Sequence, residues 1–311
     1  MSRIDLAGQR VLLTGASSGI GRELALCLAS RGARLVVAAR RADLLDQLAS
    51  QLRPGVVAVI PADLSVPGAA DELAARAVQE LGTVDVLVNN AGAGMGGLQW
   101  KVGDGPAARA IFETNLWSPL VLTKALIPAM RRRGSGAVVN VTSIAQVLTL
   151  WMLGHYAASK AALALATETL RLELTGSGVH VMEAVVGPTN TAVQGESRLI
   201  PGAAEALAAA RLGDPQQLAE RITRALERGR PRLVYPGTFR LLYSFPAAAR
   251  IYMPFLAARL RRQGKLNLDD PRVMSGGAMG DPAAREAREL WLRERAGALT
   301  TGGAPRPRPG G

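Results

Sequence analysis

The chain has one cysteine, Cys27, in 311 residues, so it can form neither an internal disulfide nor a metal site built on cysteine pairs. A reducing compartment suits such a chain, and no metal is expected. Aromatics amount to only 4%, yet six of the eight tyrosines and phenylalanines, Tyr235, Phe239, Tyr243, Phe245, Tyr252 and Phe255, fall in one stretch near the C-terminus. Acids are almost missing from that stretch: between Arg221 and Lys265 eleven basic residues face the single acid Glu227, which accounts for +10 of the net +12. The positive excess is therefore regional. No helix-turn-helix, zinc or stacking motif accompanies it, so no nucleic-acid partner is expected. The apolar run Leu241 to Leu260 is broken by Pro246, Arg250, Pro254 and Arg259, which disfavours a spanning helix. Met1 to Arg10 is short and polar, so no export signal is expected and the expected location is the cytoplasm. What remains is 48% hydrophobic and 20% charged, enough to bury a full core.

Short apolar runs alternate with helical stretches. Strands are predicted at Arg10 to Thr14, Arg34 to Ala39, Val56 to Ile60, Val84 to Val88, Ala137 to Thr142, Val179 to Val185 and Arg232 to Tyr235. Runs such as Leu35-Val-Val-Ala, apolar throughout, indicate strands covered on both faces and hence a parallel sheet between helix layers. Helices are predicted at Ile20 to Ser30, Leu44 to Leu52, Gly68 to Leu81, Ala107 to Arg132, Tyr156 to Thr175, and from Asp214-Pro215 to about Arg228. The repeated βα order implies an α/β, doubly wound, three-layer fold over residues 1–236. An extension over 237–296 follows, with a short helix from Asp281 to Ala296. The tail, 297–311, is rich in Pro and Gly and is expected to be disordered.

The first strand runs into Thr14-Gly15-Ala16-Ser17-Ser18-Gly19-Ile20-Gly21 and then a helix. A glycine-rich turn at a helix start brings bare N–H groups and the positive end of the helix dipole to a pyrophosphate. Nineteen residues after Gly21, where an NAD site places an acid, the chain has Arg40-Arg41. Guanidinium groups there, supplemented by Arg22 and Ser17, match a ribose 2′-phosphate, so NADP(H) is the expected cofactor. Asp63, with Leu64 beside it, is placed to meet the adenine.

With these motifs the chain resembles the short-chain dehydrogenase/reductase family over Gln9 to about Pro236. Thr14 to Gly21 matches the family's cofactor loop, Asn89-Asn90-Ala91-Gly92 its Asn-Asn-Ala-Gly motif, and Tyr156-Ala-Ala-Ser-Lys160 its Tyr-x-x-x-Lys motif; Ser143 lies thirteen residues before Tyr156. The resemblance implies a Rossmann fold and a catalytic set of Asn115, Ser143, Tyr156 and Lys160, with Asn115 holding a water that links Lys160 to solvent. It also implies cofactor contacts from Gly15, Ser17, Ser18, Gly19, Ile20, Gly21, Asn90, Ala91, Gly92, Tyr156 and Lys160, and from Gly187, Pro188, Thr189 and Thr191. The family's Pro-Gly after the sixth strand is here Val186-Gly187, a departure beside the expected nicotinamide contacts.

Tyr156 and Lys160, four apart on a helix, share one face. A phenol of pKa about 10 needs a drop of roughly 3 units, about 4 kcal/mol, to work as a base near neutrality, and Lys160 together with the oxidised nicotinamide is the expected source. Reduction then delivers a hydride to a carbonyl carbon while Tyr156 protonates the oxygen and Ser143 hydrogen-bonds it; oxidation of an alcohol is the reverse. His155, adjacent to Tyr156, is expected at the surface or pocket rim, and His180 is expected to be structural.

Met95, Trp151, Ser143 and Tyr156 are the expected substrate contacts, in mostly apolar surroundings that suit a small hydrophobic ketone or alcohol. For the basic, aromatic segment 237–265 two readings stand: packing over the pocket with solvated arginines, or a peripheral anchor on the inner face of a membrane. A homodimer or homotetramer is implied by the resemblance. Rival functions are a non-catalytic NADP-binding regulator, a membrane-associated nucleotide sensor, and a sugar-nucleotide epimerase, for which a substantial C-terminal substrate domain is missing.

Overall fold

Buried β-branched and leucine runs set the architecture. In this computed structural model, which describes residues 3–52, 57–190, 212–264, 266 and 277–278, they form β1 (Arg10–Thr14), β2 (Arg34–Ala39), β3 (Val57–Pro61), β4 (Val86–Asn89), β6 (Gly136–Ser143), β7 (Val179–Val186) and β8 (Arg232–Tyr235). These seven strands make one parallel sheet in the order β3-β2-β1-β4-β6-β7-β8. Alternate side chains leave opposite faces. Leu13, Val37 and Val139 meet Leu24 and Leu28 of α1 (Gly19–Ser30) and Leu218 and Ile222 of α8 (Pro215–Glu227). Their neighbours Leu12, Val36 and Val138 meet Leu73 of α3 (Ala69–Leu81) and Leu122 and Leu126 of α6 (Ser118–Arg132). The fold is thus the doubly wound three-layer α/β/α sandwich. β1 sends its successors to one side and β4 to the other, which opens a crevice at their C-terminal ends.

Two elements depart from the expectation. The helix predicted over Ala107 to Arg132 is divided into α5 (Pro106–Phe112), a π-helical turn at Glu113–Trp117, and α6. Pro119 has no N–H to offer the carbonyl of Asn115, so ordinary helical bonding cannot run through this point. The segment after Gly237, for which no helix is predicted before Asp281, contains α9 (Arg240–Ser244) and α10 (Pro246–Arg262). α2 (Ala42–Gln51), α4 (Gln99–Val102) and α7 (Gly154–Glu173) complete the α-helices among the described residues. A two-residue pair, β5 (Met95–Gly96) with β9 (Gly277–Ala278), brings the distal chain back beside the crevice. The helix expected from Asp281 and the tail lie outside the described residues.

Candidate functional site

The glycine loop is held from below by side chains. Thr14 Oγ1 accepts from the amides of Asn90 (3.1 Å) and Ala91 (3.0 Å), and Asn90 Nδ2 donates to the carbonyls of Thr14 (2.9 Å) and Gly15 (3.2 Å). Gly15 sits at φ +69°, where a Cβ would lie 2.7 Å from Ala91 Cα; a Cβ on Gly21 would lie 2.1 Å from the carbonyl oxygen of Gly15. Only glycine allows strand, turn and helix to close this tightly. Ser18, at the N-cap of α1, makes no side-chain cap, and the first turn carries no acid. That cradle fits a pyrophosphate. Asn90 is thereby seen as a brace of the loop, a role its motif alone did not reveal.

Arg41 reaches over the loop, its Nη2 2.9 Å from Ser18 Oγ and 3.3 Å from Ser17 Oγ. Arg40 is exposed beside it at the end of β2. Two guanidinium groups and two hydroxyls at this place fit a phosphate on the ribose. Arg22 does not join them as expected: it is engaged by Glu23 Oε1 at 2.7 Å and by Gln51 Oε1 at 2.5 Å. The helix turns its side chain toward the end of α2. Asp63 Oδ1 accepts from the amide and hydroxyl of Ser65, and the carbonyl of buried Leu64 accepts from Ser118 Oγ at 2.9 Å, so this turn is rigid.

At the far side of the crevice, β6 ends at Ser143, whose Oγ accepts from the amide of Ala145 at 3.2 Å. Its hydroxyl proton is thereby left to donate elsewhere. Tyr156 stands one helical turn from Lys160 on α7. Burial raises the Tyr156 phenol above its ordinary value, and a hydrogen bond with Ser143 acts the other way. The expected lowering by Lys160 is not among the causes at work in the protein alone. Lys160 is buried, with Nζ 3.0 Å from the carbonyl of Val141. A Cβ on Gly92 would lie 3.3 Å from Lys160 Nζ and 3.5 Å from Asn115 Oδ1, so all three share one small space. Asn115 exchanges hydrogen bonds with the backbone of Ala93 (2.9 Å each) and donates to Ser159 Oγ at 3.0 Å. Its side chain is thus committed to structure, while Pro119 withholds the i+4 amide from its carbonyl.

Desolvation brings the Lys160 ammonium from 10.5 to about 8. Between those values the unfolded chain keeps a proton that the folded chain has released, so this group makes stability rise with pH from about 8 to 10, by at most about 1 kcal/mol per pH unit. Tyr156, whose value is raised, acts in the opposite sense above about pH 10. Urea melts at pH 8, 9 and 10 are expected to show the wild type gaining stability relative to Lys160→Met as pH rises, the raised Cys27 and Tyr156 acting downward in both. An equal pH dependence in both would remove Lys160 as the source of that gain.

The two segments expected at the substrate are joined: the amide of Gly97, two residues past Met95, donates to the carbonyl of Met152 at 2.8 Å. Met152 is buried at φ +62°, a conformation costing about 1–2 kcal/mol for a non-glycine residue. Such strain recurs at functional sites. Trp151, next to it, is half-buried. Gly187, Pro188 and Thr189 follow β7 in a fixed turn, in which Thr189 Oγ1 donates to the Gly187 carbonyl (3.0 Å) and Pro188 O accepts from Gly213 N (2.8 Å). Thr191 lies outside the described residues. His155 is not at a rim: it is buried, its Nε2 2.7 Å from the carbonyl of Gly103, because the start of α7 packs on the loop before α5. His180, buried with Nε2 3.2 Å from Arg230 O, is structural as expected.

One group beneath the site was missed. Glu183, fully buried in β7, accepts from Thr142 Oγ1 (2.8 Å), Gln146 Nε2 (3.0 Å) and Arg232 Nε (2.6 Å), with Tyr243 OH at 3.4 Å. Arg232 also pairs with Glu168 and lies 5.0 Å from the Tyr243 ring centre. Thr142 and Gln146 flank Ser143, so this carboxylate ties the turn of Ser143 to β8 and α9. The available signal was one acid inside the apolar run Val179 to Val186.

Residues 9–199 match the family model described as short chain dehydrogenase. The chain is 35% identical over 271 residues, 82% of each chain, to dehydrogenase/reductase SDR family member 7B of Bos taurus. It is similar to a solved short-chain dehydrogenase from Sphingobium yanoikuyae in complex with NADPH (TM-score 0.65, 26% identity, 84% of this chain and 98% of that one). It is also similar to a solved 3-ketoacyl-(acyl-carrier-protein) reductase from Brucella melitensis complexed with NADH (TM-score 0.65, 25% identity, 74% and 97%).

Proposed function

Because the chain belongs to the short-chain dehydrogenase/reductase family, we propose that this oxidoreductase is an NADP(H)-dependent enzyme that interconverts a hydrophobic carbonyl compound and its alcohol. The observation that carries the reading is the convergence of Ser143, Tyr156 and Lys160 on the crevice that the glycine loop opens. When bound, the nicotinamide would supply or accept the hydride. Tyr156 gives its proton to the carbonyl oxygen, and Ser143, oriented by the Ala145 amide, donates a hydrogen bond to the same oxygen. Lys160 provides positive charge beside the phenol. The Asn115 carbonyl, without its i+4 amide, is available for a water that returns protons through Lys160. Gly15, Gly19 and Gly21 with the α1 amides would hold the pyrophosphate, Arg40 and Arg41 the 2′-phosphate, Asp63 the adenine, and Gly187 to Thr189 the nicotinamide side.

The catalytic unit in this reading is 1–236, with 237–296 an extension. Leu165 and Leu172 on α7, 66% and 75% exposed, favour assembly of copies through that helix. Cys27, half-buried with Sγ 3.0 Å from Arg31, is raised by burial and stays a thiol, as suits the cytoplasm.

Absorbance at 340 nm with a panel of hydrophobic ketones and aldehydes, NADPH and NADH in parallel, tests the reading. Turnover with NADPH is expected. Arg41→Ala is expected to lower kcat/KM for NADPH by about tenfold or more, the worth of one charge-assisted phosphate contact, and to leave NADH within about twofold. Equal losses with both nucleotides would place Arg41 in loop architecture instead.

A further inference from the structure

We infer that the outer face of α10, together with α9, is a docking surface for an anionic lipid bilayer. α10 turns Met253 and Leu260 inward, 9% and 4% exposed, which fixes its opposite face outward. That face carries Ile251, Tyr252 and Phe255, and Leu241 and Phe245 precede it; all five are at least 60% exposed. Leaving so many large apolar groups in water opposes the usual surface composition. Flanking them are Arg240, Arg250, Arg259, Arg261 and Arg262, each exposed and, among the described residues, without an ion pair. From Arg228 to Leu268 the sequence has no aspartate or glutamate.

Charge selects the occupant. A second copy joined face to face would bring two sets of unneutralised arginines together with no acid from this segment between them. A nucleic acid would answer the arginines but offer no hydrocarbon to Ile251 and Phe255. An anionic bilayer answers both, with acyl chains for the apolar side chains and headgroup phosphates for the guanidinium groups. No helix among the described residues is long and apolar enough to cross a membrane. The 17-residue α10, with Arg250 and Pro254 inside it, would lie in the plane of the surface.

Cosedimentation of the full chain with vesicles tests this independently of catalysis. Partition into phosphatidylcholine vesicles containing about 30% phosphatidylglycerol is expected to exceed that into phosphatidylcholine alone by about tenfold, and to weaken in high salt. The variant Ile251→Ser/Tyr252→Ser/Phe255→Ser, with its melting temperature checked against wild type, is expected to lose about tenfold in partition. Equal partition of wild type into both vesicles, or full partition by a folded triple variant, overturns the proposal. So does a wild type that ignores vesicles while being retained on duplex DNA, or a triple variant that changes only oligomeric state in size-exclusion chromatography.

Discussion

Tyr156→Phe is expected to lower kcat by about a thousandfold while nucleotide affinity and melting temperature stay near wild type, the usual worth of a positioned general acid. Ser143 and Lys160 offer no substitute for the lost proton. The Ser143 hydroxyl can hydrogen-bond the substrate oxygen but, as an alcohol, is a far weaker acid than a phenol, and Lys160 Nζ is held at the Val141 carbonyl. Phenylalanine keeps the ring volume and removes only the hydroxyl, so packing changes little. The raised phenol also gives the two directions opposite pH dependences. A group whose value is raised by burial starts protonated at neutral pH, which suits reduction; oxidation needs it deprotonated and is expected to accelerate as pH rises. Steady-state rates of both directions from pH 6 to 10, with equilibrium nucleotide binding, check this. A loss of less than about tenfold in kcat would show that another group delivers the proton.

Arg232→Met is expected to destabilise the protein by about 3 kcal/mol, because it strands the fully buried carboxylate of Glu183 without its cation. Thr142, Gln146 and Tyr243 would remain as neutral donors, which cannot replace a guanidinium at 2.6 Å. The value stands at the lower end for such pairs, since the Arg232 side chain is 31% exposed and water screens part of the interaction. The double variant Glu183→Leu/Arg232→Met is expected to recover part of the loss, as it leaves no charge buried and unpaired although Thr142 and Gln146 lose their acceptor. Because Thr142 and Gln146 flank Ser143, kcat should fall in the single variant more than the loss of stability alone explains. Chemical denaturation of the two variants with Glu183→Leu closes the cycle. A single-variant loss below about 1 kcal/mol, or a double variant no better than the single, would show that the pair does not hold this edge of the sheet.

The seven strands, the glycine loop and the Tyr156–Lys160 pair were legible because each rests on spacing within a few residues. Short continuous apolar runs bounded by Gly, Pro or polar residues indicate strands buried on both faces, and residues four apart on a helix must share a side. His155 was misread for the opposite reason: its neighbour along the chain is Tyr156, but its partner is the carbonyl of Gly103, 52 residues away. Arg22, assigned to the phosphate by its place after the loop, was claimed by Gln51 at the end of α2. The helices of 237–265 escaped notice because prolines and arginines interrupt the apolar pattern, although Pro246 occupies a first-turn position that helices accept.

By itself, then, the sequence determined the layered parallel sheet, the glycine turn between β1 and α1 and the placing of Tyr156 and Lys160 on one helix face, all properties of local period and residue chemistry. Only the tertiary structure decided which carbonyl holds Lys160, that Asn115 braces Ala93, that Glu183 anchors the turn of Ser143, and which face of α10 meets solvent. Those depend on pairings between distant segments, whose geometry is set by how helices pack on the sheet and not by any spacing along the chain.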